Sequence, residues 1–390
     1  MPVINRAADL QEEIVGWRHD FHRNPELLYD VERTAARVAD LLRSFGVDEV
    51  VTGIGRTGVV GVIRGGKGNG SRVIGLRADM DALPINERTG KPYASTIAGK
   101  MHACGHDGHT SMLLGAAKYL AETRNFAGTA ILIFQPAEEG GAGGRAMIED
   151  GLMERFGITE VYGMHNMPGL PVGNFAIRAG GIMAATDEFT ITLEGTGGHA
   201  AMPHKATDPV LAAAQLIIAL QSVVARNVDP LRAAVLSVTM LRAGEAFNVI
   251  PRTVSLTGTV RTLDPDLRKF MEERLRAITA GIATTYGLSH EIAYRNGYPV
   301  TVNSPEQTGF AADVARAVAG PAQVDDESDG TMGGEDFAYM LEARPGAYIF
   351  IGNGSSTALH TDTYDFDDEA LPYGVSYWAR LVEMALPAGA

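Results

Sequence analysis

Cysteine is nearly absent from this chain, because Cys104 is the one thiol in 390 residues. A single thiol cannot close an internal disulfide, which accords with a reducing compartment and leads us to expect a cytoplasmic protein. Runs of basic residues are missing too, and the formal net charge is −14. Both facts argue against nucleic acid and anionic membrane surfaces as partners. No apolar stretch attains the ~18 residues of a membrane-crossing segment. The opening Met1-Pro2-Val3-Ile4-Asn5-Arg6 has no basic stretch, apolar run and small-residue cleavage site in succession, so neither secretion nor membrane spanning is signalled. Internal repeats and low-complexity segments are also lacking. Gly65-Gly66-Lys67-Gly68-Asn69-Gly70 reads as an exposed turn and not a phosphate loop, since no helix with a Lys-Ser/Thr start follows it.

What remains is ample apolar mass. The chain is 45% hydrophobic and longer than one core usually serves, so two domains are expected. Helical periodicity marks Leu10 to Phe21, Val31 to Phe45, Thr110 to Glu122, Arg145 to Phe156, Pro305 to Ala319, Asp336 to Ala343 and Leu371 to Met384. Short apolar runs at Gly58 to Ile63, Val73 to Leu76, Ala130 to Phe134, Val161 to Met164 and Ala347 to Ile351 read as buried, mostly parallel strands. This alternation is α/β layering. Between residues 184 and 297 the order changes to strand Glu188 to Leu193, helix Pro209 to Val224, strands Ala233 to Arg242 and Arg252 to Arg261, helix Asp266 to Tyr286, and strand His290 to Arg295. That β-α-β-β-α-β order predicts a ferredoxin-like α+β domain at 184–297, inserted into a discontinuous α/β domain of residues 1–183 and 298–390.

The chemistry concentrates around the lone thiol. His102-Ala103-Cys104-Gly105-His106-Asp107-Gly108-His109 holds four of the chain's eleven imidazole and thiol groups, ten His plus one Cys. A thiolate and an imidazole two residues apart suit borderline-soft divalent metals. A second cluster, Phe134-Gln135-Pro136-Ala137-Glu138-Glu139-Gly140-Gly141, puts two adjacent carboxylates directly after an apolar strand. Adjacent side chains there diverge, so Glu139 can ligate a metal while Glu138 faces substrate as general base. His165 and His360 also follow strands. Because ligands gather beyond the carboxyl ends of strands in open α/β sheets, Cys104, His106, Glu139, His165 and His360 are expected to converge across more than 250 residues. Five ligands exceed one tetrahedral zinc and suit two metals roughly 3.5–4 Å apart, with Cys104 a candidate bridge.

Six segments in this order carry a family resemblance. They are Leu76-Arg77-Ala78-Asp79-Met80-Asp81-Ala82-Leu83-Pro84, His102 to His109, Gln135-Pro136-Ala137-Glu138-Glu139, Gly198-His199-Ala200-Ala201-Met202-Pro203-His204, Asn248-Val249-Ile250-Pro251 and Gly333-Gly334-Glu335-Asp336-Phe337. Together they resemble the aminoacylase and carboxypeptidase amidohydrolases of metallopeptidase family 20, and within them the branch of hippurate hydrolases, N-acyl-amino-acid amidohydrolases and auxin-conjugate hydrolases. The resemblance implies a dinuclear-metal catalytic domain carrying a smaller lid that forms homodimers or tetramers. It implies Cys104, His106, Glu139, His165 and His360 as metal ligands, Glu138 as general base, and Asp81 as a residue orienting the site from behind. His199 would reach the scissile carbonyl from the lid, in its own or a partner subunit, and Asn248 would line the substrate cleft. Arg261 is a candidate partner for a substrate carboxylate. The larger part of the family has a metal-binding histidine where Asp79 stands, so the role of Asp79 stays open, as do those of His102 and His109.

The expected activity is metal-dependent hydrolysis of an N-acyl amino acid to a carboxylic acid and a free amino acid. A dipeptidase or aminopeptidase on the same scaffold, a cysteine hydrolase using Cys104 with His106, and a catalytically silent metal-binding protein are the alternatives. Thiolate, imidazole and carboxylate ligands admit manganese, zinc, cobalt or nickel. The acyl group is not encoded in motifs, because pocket shape is set by packing.

Overall fold

The computed structural model describes residues 3–68 and 70–388. The turn expected at Gly65–Gly70 includes Asn69, and the opening dipeptide Met1-Pro2 also lies outside the described residues. The chain divides into two compact units, one of residues 1–180, 302–329 and 336–390 and the other of 181–301 and 330–335.

The first unit is built on an eight-stranded sheet. Its centre is parallel: Val73–Asp79 lies between Thr129–Gln135 and Glu160–Met167, and Gly346–Gly352 runs parallel to the last of these. Gly58–Arg64 and the outermost Glu49–Ile54 are antiparallel additions on one side. The central strands are apolar runs buried along almost their whole length, as in Thr-Ala-Ile-Leu-Ile-Phe-Gln, because helices cover the sheet. The helix His106–Thr123 buries Met112, Leu113, Leu114, Ala116, Ala117 and Leu120 and packs against Gln11–Arg23 and Leu371–Ala385.

Local chemistry moved several boundaries. The central helix starts at His106 instead of near Thr110, placing a candidate ligand in its first turn. Arg145 to Phe156 is not one helix but two, Gly143–Glu149 and Leu152–Arg155, because Gly151 adopts φ +84° and ends the first. His165 sits inside its strand, which continues to Met167.

In the second unit a four-stranded antiparallel sheet has the order Ala234–Ala243, Thr253–Thr262, Ala185–Glu194, Ser289–Asn296. Two helices, Pro209–Ser222 and Pro265–Tyr286, contribute Ala212, Leu216, Leu220, Leu267, Met271 and Leu275 to a core with Phe189, Ile191, Leu193 and Leu256. This is the ferredoxin-like order read from the sequence. Both helices begin with an Asp-Pro pair: Asp208 accepts from the N–H groups of Val210 and Leu211, and Asp264 from those of Asp266 and Leu267. The segment Pro209–Asn227 is also long and apolar enough by composition to cross a membrane.

Candidate metal centre

Each candidate residue of the first unit arrives at the carboxyl end of the parallel sheet by a different route. Glu138 and Glu139 follow the Thr129–Gln135 strand through Ala137, whose φ of +55° turns the chain. A side chain on Gly143 would lie 1.7 Å from the Pro136 carbonyl oxygen, so only glycine lets this loop fold back on itself. Asp79 ends the neighbouring strand. His360 lies in the loop after Gly346–Gly352 with φ +63°, an unfavourable conformation for a residue with a Cβ and one that clusters at functional sites. Its N–H donates to the Ala103 carbonyl, tying that loop to the Cys104 segment.

The ligand atoms of Cys104, His106 and His165 lie within 4.8 Å of one another, as do those of Cys104, Glu139 and His360. Cys104 is common to both groups. His106, Glu138 and Glu139 form a third such group. Cys104 Sγ is 3.4 Å from His165 Nε2, and His360 Nε2 is 3.3 Å from Glu139 Oε1 without the alignment of a hydrogen bond. His165 Nδ1 donates to the carbonyl of Asn166 at 2.7 Å, which leaves Nε2 as the lone-pair nitrogen facing Cys104.

Whether a cation fits can be judged from the donors. Among the described residues, both ring nitrogens of His106 and the Oε1 of Glu139 are buried without a hydrogen-bond partner, a costly state that coordination would relieve. Sulfur, imidazole nitrogen and carboxylate oxygen together form a set that divalent transition metals accept. The residues fit the group.

The electrostatics agree. Burial opposes charge on His106, but Asp79, Asp81 and Glu139 outweigh it and push its pKa up to about 10. Burial would raise Glu139, yet His360 and His106 hold it below the usual carboxylate range. Burial and the nearby Glu139, Glu138 and Asp79 push the Cys104 thiol well up. Without a cation, then, this thiol stays protonated, the opposite of what a cysteine nucleophile needs.

Asp81 stands behind the centre. Its Oδ1 accepts from the N–H of Glu138 at 2.9 Å, its Oδ2 from the N–H of Glu139 at 3.1 Å, and its Oδ1 lies 3.5 Å from His106 Nδ1. Asp79 also lies close to His106, at 3.7 Å, and within ligand reach of His109, but His109 Nδ1 already binds Asp79 Oδ1 at 2.6 Å. His102 is fully buried next to this segment, with its pKa lowered to about 3, chiefly by burial.

The remaining three candidates belong to the second unit. His199 pairs with Val249 in a two-stranded ribbon, and the Asn248 carbonyl accepts from the Ala200 N–H, so His199 and Asn248 are neighbours at one exposed ribbon. Arg261 lies in the Thr253–Thr262 strand, and its Nη1 donates to Thr259 Oγ1 and, at 3.2 Å, to the Val260 carbonyl. Asn166, Tyr364 and Arg77 were not singled out from the sequence, although all three are fully buried around the ligands. Residue type and spacing offered no signal for them.

Known proteins place these observations. Hippurate hydrolase of Campylobacter jejuni is 46% identical over 381 residues, covering 98% of each chain. N-acetyl-L-cysteine deacetylase of Bacillus subtilis is 42% identical over 365 residues, 93% of this chain and 86% of that one. A crystal structure from Bacillus subtilis, described as a dinuclear metal binding peptidase from the M20 family, superposes with a TM-score of 0.86 at 34% identity over 98% of this chain and 99% of that one. Donor clusters of this kind, in a fold shared with a dinuclear member, make divalent metal the cofactor class. Residues 75–384 match peptidase family M20/M25/M40, and with that match the chain belongs to this family of metal-dependent hydrolases.

Proposed function

We propose that the protein is a metallo-amidohydrolase that cleaves the amide bond of N-acyl amino acids to a carboxylic acid and a free amino acid. The observation that carries this reading is the pair of donor groups sharing Cys104, with the Glu138 carboxylate beside them. The similarity to hippurate hydrolase and N-acetyl-L-cysteine deacetylase supports the same substrate class.

In this reading Cys104, His106 and His165 would hold one divalent ion and Cys104, Glu139 and His360 a second. Bound there, the ions supply Lewis acidity toward the scissile carbonyl and the attacking water. Glu138, held in place by the Asp81 contact to its backbone, accepts the proton of the attacking water and passes it to the departing amine. Asp81 keeps His106 and both glutamates in register. We assign His199 to donation toward the developing oxyanion, and Asn248 and Arg261 to substrate contacts.

The second unit, by this reading, is a lid and dimerisation domain. Supporting this, Ala234–Ala243 is an edge strand with Met240 43% and Leu241 55% exposed, and the adjoining apolar helix leaves Ile218 66% exposed. A second copy covering that edge would remove an aggregation hazard. The other face of the same helix packs into the second unit's core, so we read it as an interface helix in a cytoplasmic homodimer.

The deciding experiment measures amino acid released from a panel of N-acyl amino acids, using chelator-stripped protein reloaded separately with manganese, cobalt, nickel or zinc. Metal-dependent release from one acyl class is expected. Silence across the panel with metal bound would move the reading to a dipeptidase or to a non-catalytic metal-binding protein.

A further inference from the structure

Asn166 follows His165 on the Glu160–Met167 strand and is fully buried. Each of its polar groups engages one of the segments that carry the ligands. The carbonyl oxygen accepts from His165 Nδ1 at 2.7 Å. The backbone N–H donates to His109 Nε2 at 3.0 Å. The side-chain Nδ2 donates to the Cys104 carbonyl at 2.6 Å and lies 3.1 Å from His109 Nε2. Oδ1 accepts from the Tyr364 hydroxyl at 2.8 Å.

The same bonds decide what His109 does. A backbone N–H can only donate, so His109 Nε2 is an acceptor and its proton sits on Nδ1. Nδ1–H donates to Asp79 Oδ1 at 2.6 Å. Asp79 Oδ2 is held in turn by Arg77 Nη1 at 2.7 Å, and Arg77 Nη2 reaches Asp336 Oδ1 at 3.0 Å. Both ring nitrogens of His109 are committed, leaving it no lone pair for a metal. Gly105, between Cys104 and His106, closes the arrangement: at φ +90° a Cβ there would lie 2.3 Å from Asn166 Nδ2 and 2.6 Å from the Tyr364 hydroxyl oxygen. The backbone between two candidate ligands therefore rests directly on the Asn166–Tyr364 pair.

We infer that the Asn166 side chain, backed by Tyr364, is a positioning group of the metal centre that fixes the place of Cys104 before metal binds, while the main chain of the same residue holds the tautomers of His165 and His109. This rests on the ligand assignment proposed above. Ligands already held in place lose little freedom on coordination, so the clamp acts on metal affinity and on the geometry of the Cys104 thiolate.

The test uses full-length protein loaded with cobalt(II), whose thiolate-to-metal charge-transfer band reports ligation by Cys104 independently of activity. Wild type is compared with Asn166→Ala, the isosteric Asn166→Asp, and Tyr364→Phe, which removes one hydroxyl. Both Asn166 variants should bind cobalt about 10–100-fold more weakly, with a weakened or shifted band, and Tyr364→Phe should show a smaller change of the same kind. If these variants keep wild-type cobalt affinity and band and lose only melting temperature, Asn166 serves packing alone and the inference falls. Should the Asn166 variants not fold, Tyr364→Phe decides by the same criterion. A wild-type protein that binds cobalt without the band would instead sink the assignment of Cys104 as a ligand.

Discussion

Asp81 grips Glu138 by the backbone: the carboxylate Oδ1 accepts the Glu138 N–H at 2.9 Å while Oδ2 takes the next N–H along. A carboxylate can accept both and still face His106, whereas an amide presents one acceptor and one donor. Asp81→Asn should therefore leave one N–H unmet and lower kcat about 10–100-fold, with weaker metal binding. Steady-state kinetics with parallel metal titration checks this. An unchanged kcat would remove Asp81 from the supporting structure of the site.

Glu138→Gln removes a proton carrier without removing a proposed ligand. Turnover should fall by about 10²–10⁴-fold, while metal content after dialysis stays near wild type. Hydrolysis at an undiminished rate would show that another group takes the proton.

Cys104, buried and protonated when the site is stripped, should react slowly with thiol reagents then, and more slowly still when metal is bound. Coordination removes the thiolate lone pairs from reach, so chelator-treated protein should be modified and inactivated faster than metal-loaded protein. Equal rates measured by mass spectrometry would count against thiolate ligation.

A second buried ionic group lies near the helix start, and it predicts a stability profile. Burial alone would lower the pKa of His22, but the Asp107 carboxylate at 2.8 Å and Glu87 at 3.3 Å push it up to about 9, against the opposing charge of Arg18. Tyr93 and His102 complete the ring contacts of His22; burial would raise the Asp107 carboxyl, but His22, with His102 and Arg18, holds it well below its usual range. In the unfolded chain His22 loses its proton near pH ~6.5. The stabilisation is thus complete below that pH and is lost as pH rises through about 9, an effect of roughly 2–4 kcal/mol. Metal-free protein should melt lower at pH 9.5 than at pH 6. His22→Gln should remove the His22 share of that alkaline loss and leave the share of His106, whose pKa is pushed up to about 10, and a variant with the full wild-type slope would show that His22 does not contribute.

The exposed edge of the second unit predicts assembly. Leu241→Asp puts a charge on a surface that the proposed dimer buries, and it should convert dimer to monomer in light scattering without unfolding the domain. A dimer that persists in Leu241→Asp would mean that the two copies meet elsewhere.

Much of the fold was legible because its elements have strong local signatures. Parallel strands buried on both faces read as apolar runs, and the two helices of the second unit read from their periodicity, while their caps at Asp208 and Asp264 emerged only in the structure. The site residues were legible for a different reason: Cys104, His106, Glu138 and Glu139 are chemically unusual neighbours, so spacing alone drew attention to them. Where a boundary moved, a backbone conformation decided it, as at Gly151.

The sequence by itself determined the element order, the ferredoxin-like block and the set of groups able to bind metal. Tertiary structure decided which of those groups keep a free lone pair. His106 and His109 stand on the same helical turn, yet among the described residues His106 has two ring nitrogens without a hydrogen-bond partner and His109 has none, because Asp79 and Asn166 arrive at His109 from separate strands. No local pattern encodes that difference: a hydrogen-bond partner tens of residues away is set by strand register and helix docking, and a lone pair is available only where packing has not already used it.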